Sequence, residues 1–169
     1  MKGTFCIEEN KNSFSATGSV TIKVFDKTTK EIVDTIVNHN LIVKLGRCEL
    51  VKLIAGQSTK KINKMAIGKG GADIINSPFS PVAPVDGNTG LVSKIATNSI
   101  SNTAVDLTQT NPKVTFISLF DCDIVNSLVN EIALMFDDGN TIFARYTFKT
   151  ISLESGSNFS LEVTWSVEF

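Results

Sequence analysis

An uninterrupted alternation of apolar and polar residues runs from Phe159 to Phe169. The apolar members are Phe159, Leu161, Val163, Trp165, Val167 and Phe169, and the polar members are Ser160, Glu162, Thr164, Ser166 and Glu168. Because successive side chains of a β-strand point to opposite faces, this pattern predicts a strand with one buried and one solvent-facing side. The fold must therefore contain a sheet that is packed on one face.

Two further pairs of β-rich runs are separated by short polar turns, which is the pattern of a hairpin. The first pair joins residues 19–25 to 31–37, and the second joins 130–136 to 141–149. The turn of the second pair contains Asp138-Gly139, a strong hairpin signal. Both runs of the second hairpin carry apolar residues on both sides, so a second layer must cover it. That layer is either the helix described next or a neighbouring subunit.

Residues 41–55 have the apolar spacing of a helix, and their apolar residues fall on more than one face. We therefore expect a helix that is covered from more than one side. Asn38 or Asn40 would end the preceding strand and cap the helix. Gly56 stands where a helix-terminating glycine belongs, whereas Gly46 inside the helix costs about 1 kcal/mol relative to alanine.

Two other segments have distinctive patterns. Residues 114–120 are almost continuously apolar, which predicts a strand buried on both faces. Residues 72–90 contain several prolines and glycines, and a loop of this length in a compact domain is commonly functional or mobile. We expect this loop to be mobile in the free protein.

These elements predict a mainly β fold, an antiparallel β-sandwich of about eight strands with one α-helix near residues 41–55. The length fits a single domain over residues 1–169. Within it, residues 1–37 would form an N-terminal strand and hairpin, a candidate docking element. Residues 38–169 would form the sandwich core.

The charge balance argues against nucleic acid as a partner. The net charge is -1, whereas phosphate binding requires an excess of Lys and Arg. A local basic group at Lys60, Lys61, Lys64 and Lys69 is interpreted as a solvated strand edge. No run approaches the ~18 apolar residues that a membrane span requires, so we expect no membrane association.

Cysteine usage fits a reducing compartment. Cys6, Cys48 and Cys122 are odd in number and show no metal-binding spacing, so each is expected to be a small buried apolar residue. The residues after Met1 lack the apolar core of a signal peptide. We therefore expect synthesis in a cytoplasm.

Residues that could carry chemistry are few. His39, the one histidine, has no recognisable catalytic partner motif. Residues 68–71 form a glycine cluster after a strand but lack the phosphate-loop pattern, so a tight turn is expected. Asp121–Asp123 and Asp137–Asn140 could offer oxygens to a hard cation, although a calcium site needs six to eight of them. We predict no catalytic, cofactor-binding or metal-binding residues, no cofactor and no enzymatic activity.

A further pattern lies in the order of short segments along the chain. The segments are Asn40–Gly46, Leu50–Gly56, Ile62–Gly68, Asn130–Phe136, Ile142–Arg145 and Val163–Trp165. A helix after an Asn, a strand ending in a glycine-rich loop, a hairpin and this closing strand together resemble bacteriophage tail and tail-fibre-associated proteins. The resemblance covers residues 38–169 and includes no active-site residues.

The resemblance implies a non-enzymatic structural component of a phage tail or phage-tail-like contractile particle. Such a protein would be made in the bacterial cytoplasm, located in the virion and assembled at the baseplate, collar or fibre. Its partners would be other virion proteins, and it would form a homo-oligomer. We expect the partner to meet the apolar hairpin at 132–148 or the N-terminal hairpin.

The alternative is a free-standing receptor- or glycan-binding β-sandwich. The chain has 11 Phe but one Trp and one Tyr, a balance that leans away from sugar binding. The oligomeric state separates the two hypotheses, because the alternative predicts a monomer that binds glycans and no virion protein.

Overall fold

Residues 16–73, 77–108 and 110–169 are described by the computed structural model. The strands are β1 (Thr17–Asp26), β2 (Ile32–Ile42), β3 (Ile62–Gly68), β4 (Ala72–Asp73), β5 (Ser77–Pro81), β6 (Lys94–Ser99), β7 (Asn102–Asp106), β8 (Lys113–Asp121), β9 (Ser127–Phe136), β10 (Ile142–Leu153) and β11 (Phe159–Glu168). The helices are α1 (Lys44–Ile54) and α2 (Cys122–Val125). A 9-stranded antiparallel sheet has the order β6-β3-β9-β10-β2-β1-β11-β8-β7, and β4 pairs with β5. The predicted mainly β, antiparallel fold is confirmed.

Strand β2 curls this sheet into two layers. It pairs with β1 as far as Asn40, and then Leu41 and Ile42 pair with β10. At the other end, the turn between β6 and β7 closes the curl, where Ser101 N donates to Ile117 O at 2.8 Å. One layer therefore contains β2, β1, β11, β8 and β7, and the other contains β6, β3, β9 and β10. The sandwich-like core lies between them.

The closing strand β11 is confirmed and lies inside the first layer, between β1 and β8. Leu161, Val163 and Trp165 on its apolar face are fully buried. Trp165 lies opposite Val20 of β1 and Phe116 of β8, so one indole fills the space shared by three strands. The alternation in the sequence thus marks the centre of this layer.

The first hairpin is confirmed, but its second strand is longer than predicted. Asn38 and Asn40 pair with β1 and do not break β2. Helix α1 consequently begins at Lys44, not at residue 41, and its N-cap is Val43, which makes no side-chain capping bond. Pairing with β1 extends β2 through Asn40, and pairing with β10 continues it to Ile42, so the capping preference of asparagine does not decide the boundary.

Helix α1 packs against the sheet through one side. A Cβ on Gly46 would lie 2.1 Å from Phe143 O, so the helix backbone rests directly on β10. Val51 is 65% exposed and Ile54 is 83% exposed, so the prediction of a helix covered from more than one side is wrong. Gly56 has a φ of 67°, which confirms its helix-terminating role.

Gly46→Ala should destabilise the protein by about 1–3 kcal/mol, because the added methyl group forces the helix away from β10. An exposed helical glycine would behave in the opposite way, since alanine favours helix by about 1 kcal/mol. Chemical denaturation measures the difference. Cys48→Ala, an exposed position of the same helix, is the control and should change stability by less than about 0.5 kcal/mol. A stabilised Gly46→Ala variant would show that α1 is not seated on β10.

The second hairpin is confirmed as β9 and β10, and its turn contains Gly139 at a φ of 70°. Nearly all of β9 is buried, because the chain covers the hairpin on both sides. The cover on the second side forms a small cluster that contains Val43, Ala66, Ala133, Met135 and Ile142, with Leu45 and Leu91 packed against it. The second layer that the apolar hairpin at 132–148 requires is therefore supplied by the chain itself.

Two further expectations are corrected. Leu119 of β8 is 56% exposed whereas Phe120 is fully buried, so the strand at 114–120 is buried on one face only. Strand β1 lies inside the sheet with Val20 and Ile22 fully buried, so the core includes part of the 1–37 segment. The strand expected near the N-terminus lies outside the described residues.

None of the described helices has the length and apolar character needed to cross a membrane.

Candidate functional site: the open edge of strand β2

The single histidine does not belong to a catalytic group in the described part of the chain. His39 lies on β2, exposed to solvent, and its neighbour across the sheet is Ser19 of β1. No described residue forms a hydrogen bond with its imidazole. Its position at the strand edge favours a role in surface contacts.

The glycine cluster at 68–71 is used for packing. The Gly70 and Gly71 amides both donate to Asn130 Oδ1, at 2.9 and 2.8 Å. Gly70 has a φ of 119°, a conformation that favours glycine. The two amides are already bonded to this side chain, which supports the interpretation as a tight turn.

The acidic residues at 121–123 surround a lysine from another strand. Lys27 Nζ lies 2.8 Å from Asp121 Oδ1 and also contacts Asp123. The hydrogen bond from Lys27 lowers the pKa of Asp121. Asp121 also caps α2 by accepting from the Asp123 amide at 2.9 Å. The ammonium group thus provides the positive charge that a metal ion would otherwise supply.

The second acidic group lies apart from the first and stabilises the β9–β10 turn. Asp138 Oδ1 accepts from the Asn140 and Thr141 amides at 3.0 and 2.8 Å. Lys60 Nζ lies 2.8 Å from Asp138 Oδ2 and 3.9 Å from Glu49 Oε2. The basic group at 60–69 is therefore partly neutralised, as expected of a solvated edge. Cys122 is buried as predicted, whereas Cys48 is exposed and Cys6 lies outside the described residues.

A buried polar latch, formed by Glu131, Arg145 and Asn88, was not predicted from the sequence. Glu131 is fully buried on β9, and its Oε2 accepts from Arg145 Nη2 at 2.6 Å. Its two carboxylate oxygens also accept from the Val92 and Ser93 amides at 3.0 and 2.9 Å. Arg145 Nη1 donates to Asn88 Oδ1 at 2.9 Å. The latch thus joins β9 and β10 to the loop at 88–93, while Arg145 Nε is buried without a hydrogen-bond partner among the described residues.

The latch fixes the end of the long loop to the sheet. Thr147 Oγ1 also donates to Val82 O at 2.8 Å, and Lys44 N donates to Asp86 O at 3.0 Å. These bonds argue against free mobility of residues 82–93. The sequence does carry a signal for the latch, because Glu131 interrupts an apolar strand, but its partner residues come from a distant loop.

One edge of β2 is open over most of its length, and β7 ends the same layer on its other side. On the side away from β1, β10 pairs with β2 only at Leu41 and Ile42, and no other described strand pairs with β2. No described strand therefore pairs with the backbone from Ile32 to Asn40 along this side. Two of its amides are bonded to side chains instead, Thr35 N to Asp34 Oδ1 at 2.9 Å and His39 N to Asn38 Oδ1 at 2.8 Å. A β-bulge at Val33 also interrupts the regular pairing with β1. Unpaired N–H and C=O groups along a strand edge can accept a further strand.

The side chains along this edge are partly apolar. Ile32 and Val33 are each 52% exposed, and Val37 is 69% exposed. Asp34 lies opposite the buried Val24, so it points to the inner face, where Lys149 Nζ approaches it at 2.6 Å. The hydrogen bond from Lys149 lowers the pKa of Asp34.

We define the open β2 edge as residues 31–39 of the chain. It combines a backbone that no described strand pairs with on one side and exposed valine and isoleucine side chains, with Glu31 and His39 near its two ends. This chemistry suits recognition of another strand. No protein-family model matches the chain, and no match is found among the curated proteins or the solved structures.

Proposed function

We propose that this protein is a non-enzymatic structural component of a phage tail or phage-tail-like contractile particle. It assembles with other virion proteins at the baseplate, collar or fibre, as a homo-oligomer. The observation that carries the proposal is the open β2 edge, where no described strand pairs with residues 32–40 on the side away from β1 and where valine side chains are exposed.

The use of the polar residues supports a structural role. Among the described residues, Glu131 and Arg145 form a closed latch, and Asp121 and Asp138 cap local turns while pairing with lysines. His39 lies apart from these groups on the sheet edge. A reaction centre needs a nucleophile, base or metal that faces an accessible cleft. The candidate groups instead hold the chain together.

The particle assignment rests on the sequence resemblance over residues 38–169. The arrangement of α1, the strand before the glycine turn, the β9–β10 hairpin and the closing strand is compatible with it. Assembly into a symmetric particle requires surfaces that remain free after folding. The open β2 edge is such a surface, and it is the position at which we expect contacts within the particle.

The alternative, a glycan-binding module, has less support. Sugar-binding surfaces commonly use exposed Trp and Tyr side chains, but Trp165 is fully buried and Tyr146 is 7% exposed. These are the one Trp and the one Tyr of the chain. A stacking platform for a sugar would have to use other residues.

Particle fractionation tests the proposal. Tail-like particles are purified from cells that carry the gene, separated on a density gradient and analysed by peptide mass spectrometry. We expect the chain to sediment with the particle, and cells lacking the gene to yield incomplete particles. A chain that stays entirely at the top of the gradient, while particles from the deletion strain are complete, would refute the role. Binding to a glycan array by a monomer would favour the alternative.

A further inference from the structure

Helix α1 is attached to the rest of the chain partly through a buried carboxylate. Within α1, which is described throughout, the buried residues are Gly46 and Glu49, and Glu49 is 3% exposed. A glutamate is seldom buried to this extent unless charged or polar partners surround it. Val51 and Ile54 lie further along the same helix and are exposed. The attachment of the second half of α1 therefore depends on the surroundings of Glu49.

Glu49 has partners on its own helix and on the segment that follows the helix. Ser58 Oγ donates to Glu49 Oε1 at 2.5 Å, and Lys52 Nζ donates to Glu49 Oε2 at 3.2 Å. Lys60 Nζ lies 3.9 Å from the same Oε2. Both carboxylate oxygens are thus engaged, and they tie the segment after α1 back to the helix.

Lys60 extends this group to the turn between β9 and β10. Its Nζ lies 2.8 Å from Asp138 Oδ2 and donates to Thr141 Oγ1 at 3.1 Å. The hydrogen bond with Asp138 is the main cause that raises the pKa of Lys60, and the charges of Glu49 and Asp137 act in the same direction. Lys60 is therefore the cation that the helix and the turn share. We define the Glu49 clamp as Glu49, Lys52, Ser58, Lys60 and Asp138.

We propose that the Glu49 clamp makes the seating of α1 acid-sensitive: protonation of Glu49 and Asp138 loosens the second half of the helix and residues 55–61 while the sandwich core stays folded. A protonated carboxyl group loses its charge-assisted bonds to the lysines, which are the stronger kind of hydrogen bond. The second half of α1 then keeps Leu50 and Leu53, which are only partly buried against the core. These two side chains alone hold it less firmly.

The pKa shifts have the direction that this device requires. The hydrogen bond from Ser58 lowers the pKa of Glu49, burial opposes it, and the hydrogen bond from Lys52 adds to the lowering. Burial raises the pKa of Asp138, but hydrogen bonds, first among them that from Lys60, hold it well below its usual range. A carboxylate with a lowered folded-state pKa contributes stability above its unfolded pKa, and loses it as the pH falls through the folded pKa. The clamp is therefore intact at neutral pH and weakens in acid.

The first half of α1 carries a second carboxylate that titrates in acid. Arg47 Nη2 lies 2.9 Å from Asp86 Oδ1, and about half of each side chain is exposed. The hydrogen bond from Arg47 lowers the pKa of Asp86. An exposed pair of this kind contributes little to stability. Gly46 also seats this half of the helix directly on the carbonyl of Phe143, a contact that does not titrate. We therefore expect the acid response in the second half of the helix.

Amide hydrogen exchange of the full chain, followed by NMR from about pH 7 to about pH 3, tests the device. The rates are corrected for the intrinsic effect of pH. The amides of Ala55, Gly56 and Gln57 donate to carbonyls of the last turns of α1, so they report on its second half. Their protection should fall by at least about fivefold while the fluorescence of the buried Trp165 stays native. Unchanged protection at every pH at which the core is folded, or loss of protection only together with the core, would overturn the proposal.

Two variants locate the response. Glu49→Gln keeps the size of the side chain but cannot titrate, so protection of the same amides should be reduced already at neutral pH and should lose most of its pH dependence. Asp86→Asn is the matched control, because it removes an exposed carboxylate that pairs with a cation of the same helix. Thermal melting verifies that both variants are folded. The wild-type pH dependence in Glu49→Gln, or its loss in Asp86→Asn, would also overturn the proposal.

The clamp operates in the single chain, whether or not the chain enters a particle. A chain that loosens in acid but is absent from purified particles would refute the particle role alone. A chain that is found in particles while α1 is insensitive to acid would overturn the Glu49 clamp alone.

Discussion

Trp165→Ala should lower the free energy of unfolding by about 3–5 kcal/mol, the usual cost of emptying a large core site. Trp165 is fully buried in the middle strand of the first layer, opposite Val20 and Phe116. Removing its indole leaves a cavity that strands on both sides of β11 share. Urea denaturation followed by far-ultraviolet circular dichroism measures the loss.

The matched control is Thr164→Ala, on the opposite face of the same strand. Thr164 is partly exposed, so its loss should be below about 1 kcal/mol. A loss of that small size for Trp165→Ala would mean that Trp165 does not lie in the core of the single chain, and the assignment of β11 to the centre of the layer would be wrong.

Glu131→Ala should be similarly costly, at about 3–5 kcal/mol, because it leaves the buried Arg145 guanidinium without its carboxylate. It also removes the acceptor for the Val92 and Ser93 amides. Urea denaturation measures the stability loss. Hydrogen exchange adds a local result: the amides of Val92 and Ser93 should exchange faster in the variant even under native conditions.

Glu162→Ala serves as the control for Glu131→Ala. Glu162 also pairs with a cation, but its partner Lys23 lies at 3.5 Å and both side chains are partly exposed. A pair of this kind contributes about 0–1 kcal/mol. If the two glutamate variants lost the same small amount, the buried latch would not be holding the loop to the sheet.

Local patterns predicted the central elements of the fold. The alternation around Trp165 identified a half-buried strand, and Asp138-Gly139 identified the turn between β9 and β10. Both signals act over a few residues and depend little on distant parts of the chain. Gly56 also fulfilled its predicted role, because a positive φ at a helix end is a local requirement.

Boundaries and layers could not be predicted in the same way. Asn38 and Asn40 favour a helix start by propensity, but pairing with β1 extends the strand through them. Gly46 reduces the local tendency to form helix. A glycine is needed there because the carbonyl of Phe143, on a strand distant in sequence, leaves no room for a side chain. Such contacts depend on how the sheet curls, which a single sequence does not reveal.

The candidate site could also be predicted only in part from the sequence. The exposed valines of β2 are apolar strand residues, indistinguishable by pattern from those that face a core. Val37 is exposed because it lies opposite Thr21, on the face of the first layer that points away from the buried Val20 and Ile22. The hairpin at 132–148 is the reverse case. Its apolar residues required a second layer, but the sequence pattern did not show that α1 and the loop held by the latch would supply it.

We propose the open β2 edge as the surface that contacts other proteins of a particle. The most direct test is the copy number of the chain in purified particles, measured by quantitative mass spectrometry after complementation of a gene deletion. Wild type and Val51→Lys should be incorporated equally, and Val33→Lys/Val37→Lys should be depleted at least about tenfold although it is folded. Equal incorporation of all three, or absence of the wild type from the particles, would contradict the account.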